Sequence, residues 1–353
     1  MKSNFSLKIV LLALSAVWTS LSYAGEYIVQ LEKFTEQKGP GIAYAVTKSG
    51  KVIEENFFGY QDRQKEILAG RQTKFNLASN SKQFTAAAIL ILEERGLLSL
   101  NDNVSQYIAE WPTYAQAVKI RHLVFHTSGL PDYMSLCGGG KMVLNKDILD
   151  FLSKETKLYE PAGTKHEYSN TGYVVLSEIV QRVAKVSFDS FIEQEIFRPL
   201  QMTNSKVLSI DSSDLVVNRA VPYDDWPFFE IIDRRDCDYV FGDGGILTTT
   251  EDYGRWLNSV ATKSLPFLKN PGRLFEAGST DDGKPIDYGF GWQIDEYNGV
   301  RMLDHGGLWG GNKSFAAIFP DQGLSILVLS NYRIAPVWKV TAELANKFLN
   351  GQP

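Results

Sequence analysis

Histidine and cysteine are scarce in this chain: its 353 residues include four histidines and two cysteines. His122, His126, His166 and His305 show no H-E-x-x-H or comparable ligand spacing. That argues against a metal held by the protein, and no motif calls for a cofactor. Cys137 and Cys237 leave both a bridge and two half-buried thiols open, because spacing alone does not decide between them. Linkers, low-complexity tracts and internal repeats are also missing. The chain, 44% hydrophobic and 12% aromatic, can therefore bury a large core as one bilobed domain or as two. Basic charge is not in excess either. The net charge is -5, and the first 24 residues hold two lysines and no acids, so the remainder of the chain is more acidic still. This argues against nucleic acid or an anionic membrane surface as the main partner.

Residues 1–24 form a unit of their own. Lys2 and Lys8 lead into the apolar run Ile9 to Trp18, and Ser22-Tyr23-Ala24 offers the small residues that a signal peptidase reads. The segment predicts an exported protein, periplasmic or secreted, cleaved after Ala24. Its apolar core is short for a membrane span and no cysteine stands at the cleavage point to carry a lipid. No stable span is expected once it is removed.

Two β-type runs, Gly41 to Thr47 and Val52 to Phe58, flank the turn Lys48-Ser49-Gly50-Lys51. The far end repeats the pattern: Ser314 to Phe319 and Leu324 to Leu329 flank Pro320-Asp321-Gln322-Gly323, and an amphipathic helix comes next over Pro336 to Leu349. Tyr288 to Trp292 and Val300 to Leu303 read as two further strands. Helical patterns fill the middle: an Ala/Leu-rich core helix after Ser79 ending at Gly96, a run from Val174 to Val183, and a Thr-capped start after Gly242 to Asp252. The fold class expected is α+β. An antiparallel sheet from both chain ends (about 25–78 and 284–353) is flanked by helices, with a mostly helical subdomain (about 79–283) inserted.

Three short motifs carry chemistry. Ser79 is the only serine with a lysine three positions on, and on a helix that spacing sets Lys82 on the same face. A lysine held beside a serine can activate it as a nucleophile. Alone, S-x-x-K arises about once by chance in a chain of this size, and a capped helix with an exposed lysine is then the better explanation. Tyr168 is the only tyrosine with an asparagine, Asn170, two residues on; a buried phenol and a helix cap are its ordinary reading. His305 is the only histidine with glycine, Gly307, at the second position after it. Ser128 is rejected as a nucleophile because His126 stands where G-x-S-x-G needs its first glycine. Gly138-Gly139-Gly140-Lys141 lacks the spacing of a phosphate loop.

Taken together and in this order, S-x-x-K, Y-x-N and a basic residue with glycine two positions later resemble the serine β-lactamase and penicillin-recognising superfamily. The likeness is to its class C and DD-peptidase-like branch, and it runs over the whole chain after residue 24. His126-Thr127-Ser128-Gly129-Leu130-Pro131, Pro161-Ala162-Gly163-Thr164, Arg198-Pro199-Leu200-Gln201-Met202 and Tyr288-Gly289-Phe290-Gly291-Trp292 are similar to the family's recurrent turns and strand starts. The resemblance implies a class C-like fold, with Ser79 as the nucleophile that forms an acyl-enzyme. Lys82 is then its proton acceptor or electrostatic partner, and Tyr168 the general base and acid. Asn170 and His305 contact substrate; the backbone N–H groups of Ser79 and Leu308, beside Gly307, form the oxyanion hole.

At one position the chain departs from the family. Class C enzymes place lysine and then a hydroxyl residue where His305 and Gly306 stand, so above a pH of about 6.5 the cation is largely lost. The resemblance therefore favours a small-molecule or peptide substrate with an ester, amide or D-amino-acid peptide bond. The alternatives are a true β-lactamase of weak turnover and a non-catalytic module that binds cell-wall peptide or penicillin.

Overall fold

In the computed structural model the described residues are 31–32, 38–210, 216–224, 230–232 and 236–350. The expected export segment lies outside them.

Alternating side chains in the terminal strands build a sheet whose central strands are buried on both faces. β1 (Ile42–Lys48) and β2 (Lys51–Phe58) come from the start of the chain; β3 (Gln293–Tyr297), β4 (Val300–Trp309), β5 (Asn312–Phe319) and β6 (Leu324–Ser330) come from its end. They form one six-stranded sheet in the order β3-β4-β5-β6-β1-β2, with every pair antiparallel. Successive residues point to opposite faces. Thus Ile42, Tyr44 and Val46 join Ile326 and Val328 under the C-terminal helix Val337–Leu349, while Ala43, Ala45, Leu327 and Leu329 join the larger core on the other side. Lys48-Ser49-Gly50-Lys51 is the hairpin turn expected, with Ser49 and Gly50 in the left-handed region.

The larger core holds the helices. α1 (Lys82–Glu94) is buried from Lys82 through Leu92, as its alanine-rich sequence implies. α2 (Asn145–Lys154), α3 (Asn170–Ala184) and α4 (Thr250–Ala261) surround it, and α5 is the helix Val337–Leu349. The Thr249 hydroxyl caps α4 by accepting from the Asp252 N–H. α3 starts at Asn170 rather than Val174, because the Ser169 side chain caps it by accepting from the Gly172 N–H.

One expected strand is corrected. Tyr288 to Trp292 is irregular, and the strand begins only at Gln293. Gly291 has φ +82, and a Cβ there would fall 2.7 Å from the backbone N of Gln83. The glycine turn is tucked beneath the start of α1, which a flat strand cannot do.

A three-stranded patch completes the framework: Ile246–Thr248 lies between Phe75–Asn76 and Lys206–Val207. It lays the segment before Ser79 beside the turn that contains Asp243.

Candidate active site

Ser79 sits in a single 3-10 turn, Ala78–Ser81, directly before α1, so the positive end of the helix dipole faces it. Ala78 precedes it with φ +48, a backbone conformation that costs a non-glycine residue about 1–3 kcal/mol. Buried hydrogen bonds hold that turn. The Asn76 side chain accepts from the Ala78 N–H at 2.8 Å, and the Asn80 amide donates to Ser314 Oγ at 2.8 Å. Ser314 in turn donates to the Leu77 carbonyl at 2.7 Å. Tyr253 and Gln83 also donate to Asn80 Oδ1, at 2.9 Å each.

Lys82 lies one turn on and is fully buried. Its Nζ donates to Ser79 Oγ at 3.3 Å, to Asn170 Oδ1 at 2.8 Å and to the Asp243 carbonyl at 2.9 Å. Three hydrogens meet three acceptors, which fixes the ammonium in one orientation. The Tyr168 ring lies 4.9 Å from the same Nζ, on the open side, and Tyr168 is 44% exposed. The structure therefore gathers Ser79, Lys82, Tyr168 and Asn170 around one ammonium.

β4 brings the last segment. Gly307 lies flush against the Ser79 turn: a Cβ there would come within 2.4 Å of both the Leu77 carbonyl and Ser314 Oγ. Leu308, next along, lines the same cavity as Ser79 and Asn170. Replacing Gly307 by alanine is expected to push strand and turn apart and lower acylation of Ser79 about 100-fold. Single-turnover kinetics with an activated ester checks this; a loss under threefold would show that the contact is not needed.

His305 is not the titrating cation expected. It is 4% exposed, and Nδ1 lies 2.6 Å from the Gly306 carbonyl, which can only accept; Nδ1 thus carries the proton. Nε2, at 3.1 Å from the Tyr288 hydroxyl, is left as the acceptor. Burial, assisted by Lys82, pushes its pKa down to about 3. The sequence could not show this, because the burial comes from Tyr288 and Tyr168, residues distant in the chain.

Three residues that the sequence did not single out belong to the frame. His126, fully buried and with φ +56, accepts from the Ser169 N–H through Nδ1 at 3.0 Å, and its carbonyl accepts from the Glu167 N–H at 2.7 Å. It grips the loop that carries Tyr168, and its ring lies 4.4 Å from that ring, tilted by 36°. Tyr133 donates to Asp243 Oδ2 at 2.8 Å. Asp243, whose carbonyl holds Lys82, was legible only as an acid between glycines. Ser128, rejected as a nucleophile, is buried and accepts from the Leu130 N–H at 3.4 Å.

The Tyr133 and Asp243 segments are joined covalently by a disulfide between Cys137 and Cys237, one of the two outcomes left open by their spacing. The Asp236 carboxylate adds bonds from the Gly138 and Gly140 N–H groups, at 3.0 and 2.8 Å.

The family model described as Beta-lactamase matches residues 27–347. The chain belongs to that family. As a beta-lactamase-family chain it shares the serine-hydrolase fold and is 31% identical to "Penicillin-binding protein 4*" of Bacillus subtilis (strain 168). That alignment runs over 326 residues, 87% of this chain and 71% of the relative. Among solved structures, the octameric penicillin-binding protein homologue from Pyrococcus abyssi superposes with a TM-score of 0.78 at 24% identity, covering 94% of this chain and 77% of that one. EstCE1, a hydrolase with promiscuous acyltransferase activity, superposes with a TM-score of 0.73 at 21% identity, covering 91% and 98%. Among the described residues no helix is long and apolar enough to cross a membrane.

Proposed function

We propose that the protein is an exported serine hydrolase that works through a Ser79 acyl-enzyme on an ester, amide or D-amino-acid peptide bond. The observation that carries this reading is the buried Lys82 Nζ, 3.3 Å from Ser79 Oγ and held in place by Asn170 and Asp243. With its hydrogens directed at three acceptors, Lys82 acts as the electrostatic partner. Tyr168 is the general base that takes the Ser79 proton and returns it to the leaving group. Ser79 Oγ bonds to the carbonyl carbon, the bond to the leaving group breaks, and a water repeats the sequence to release the acid. Asn170 and the cavity wall hold the acyl group, and the N–H groups of Ser79 and Leu308 stabilise the oxyanion. His305 supports Tyr288 and the strand rather than binding an anion.

A fluorophosphonate or penicillin probe is expected to add its mass at Ser79 in the wild type and not in Ser79→Ala. Absence of labelling by either probe and by activated esters sinks the reading. Export is part of the proposal: the Cys137–Cys237 bridge supports an oxidising compartment, and residues 1–24 have the form of an export signal. Protein recovered outside the cytoplasm should begin at Gly25.

The charge state of His305 makes a separate prediction. Its folded pKa lies below the ordinary value of about 6.5, so the neutral ring persists from pH 5.5 to 8. The ratio of kcat/KM for a carboxylate-bearing ester to that for a neutral ester should stay constant over that range. A fall in this ratio as pH rises would restore His305 as a cation. Its stabilising contribution, by the same sign, is present above about pH 6.5 and lost as pH falls toward 3. Lacking the cation and the hydroxyl donor of class C enzymes, the site should hydrolyse a chromogenic cephalosporin slowly.

A further inference from the structure

We propose that Asn80 is a positioning residue for the oxyanion hole: through Ser314 it fixes how closely the Ser79 turn approaches β4, and Trp256 on α4 sets the direction of the bonds by which it does so. This rests on the reading of Ser79 as the acylated residue and of the Leu308 N–H as an oxyanion donor.

Asn80 follows the nucleophile, yet its side chain turns away from the substrate. It is fully buried and is not among the residues that line the cavity beside Ser79. Four hydrogen bonds run through it from α4 to the Ser79 turn. Trp256 Nε1 donates to Gln83 Oε1 at 2.9 Å and Gln83 Nε2 to Asn80 Oδ1 at 2.9 Å. Asn80 Nδ2 then donates to Ser314 Oγ at 2.8 Å, and Ser314 Oγ to the Leu77 carbonyl at 2.7 Å. All four side chains are buried.

Amides and hydroxyls both donate and accept, so a row made of them alone has two possible directions. The ends of this row remove the choice. An indole N–H only donates, so the Gln83 oxygen faces Trp256 and its amino group faces Asn80. Asn80 in turn gives its oxygen to Gln83 and its amino group to Ser314. Having accepted that donor, Ser314 directs its single hydrogen to the Leu77 carbonyl, which only accepts. Tyr253, also on α4, reinforces the same sense: its one hydrogen lies between Asn80 Oδ1 at 2.9 Å and Gln83 Oε1 at 3.1 Å. Bonds aligned in one sense polarise and strengthen one another.

The last bond is the one that matters for catalysis. Gly307 packs against the Leu77 carbonyl and Ser314 Oγ, and it is the cross-strand partner of Ser314. Leu308 comes next. On its other side Leu77 is tied through its N–H to the Ile246 carbonyl at 2.9 Å. The bond from Ser314 therefore sets the spacing between the nucleophile's turn and the strand of its oxyanion donor, where a misplacement of about 1 Å costs on the order of 100-fold in rate.

Asn80→Asp keeps the shape and changes one donor. Ionised, the carboxylate presents an acceptor to Ser314, which turns its hydrogen toward it and releases Leu77. Protonated, the carboxyl donates to Ser314 and the row is restored. Nothing in the wild-type row titrates between pH 5 and 9: Tyr253 is the titratable group bonded to Asn80, and burial pushes its pKa well up. The test is single-turnover acylation by a neutral p-nitrophenyl ester from pH 5 to 9, on the full chain of wild type, Asn80→Asp and Ser314→Ala. Fluorophosphonate labelling of wild type is run in parallel. The acylation rate of Asn80→Asp relative to wild type should fall at least tenfold as pH rises. Ser314→Ala should lose at least tenfold at every pH, with the Kd for the ester within threefold of wild type in both variants. A residue that only stabilised the fold would lower Tm and leave these rates unchanged. A smaller change in rate in either variant overturns the proposal and leaves the serine-hydrolase reading intact. If Asn80→Asp does not fold, Ser314→Ala decides. Failure of wild-type Ser79 to label removes both.

Discussion

Replacing Lys82 by methionine is expected to lower kcat for an activated ester by about 100- to 1,000-fold, the range for losing a preorganised electrostatic partner of the reacting group. Methionine nearly fills the volume, so the buried helix start keeps its packing. The charge and three donors vanish. Ser79 Oγ loses its cationic neighbour, and Asn170 Oδ1 and the Asp243 carbonyl lose donors at 2.8 and 2.9 Å. Each buried acceptor left unpaired costs about 1–3 kcal/mol, so thermal stability should fall as well. Arginine should not rescue activity, since a planar guanidinium cannot point three hydrogens at acceptors set around one nitrogen. The measurement is steady-state kinetics with circular dichroism on Lys82→Met, Lys82→Arg and Ser79→Ala. A kcat within tenfold of wild type would remove Lys82 from the mechanism.

Opening the Cys137–Cys237 bridge should be the largest single loss of stability in the chain. The cysteines are 100 residues apart in sequence. A loop of that length frees denatured-chain entropy worth about 4.7 kcal/mol when unlinked. At this protein size that lowers Tm by about 7 °C. Cys237 also lines the cavity beside Ser79, so the double variant Cys137→Ser, Cys237→Ser should raise KM more than it lowers kcat. Calorimetry with and without reductant, and then kinetics on the folded fraction, checks both parts. A Tm within about 2 °C of wild type would show that the hydrogen bonds to Asp236 already hold the two loops together.

The three-residue spacing sets Ser79 and Lys82 on one face, but they were legible only through the order of the three motifs and the family which that order resembles. Tyr168 and Asn170 share a short loop before a helix and were legible as a pair, and the terminal strands as alternating apolar runs. The rest depended on contacts between segments far apart. Burial settles the charge of His305, and that burial is tertiary. His126 looked like part of a turn, yet its ring and carbonyl hold the Tyr168 loop from more than one side. Asp243 and Tyr133 meet across 110 positions, and no local pattern marks such a pairing. The strand expected at Tyr288 to Trp292 failed for a related reason, since Gly291 serves close approach to Gln83 and Gly289 to the Glu276 carbonyl, and an extended run reads the same way from one dimension.

The place of β1 in the sheet also constrains how the protein is made. β1 is bonded on one side to β2, its immediate neighbour in sequence, and on the other to β6, so that Ile42 faces both Phe58 and Ser330. The hairpin synthesised first therefore waits, with a long apolar edge unsatisfied, until the last strand has left the ribosome. Contacts so remote in sequence make for slow folding, and an open edge in the interval invites wrong pairings.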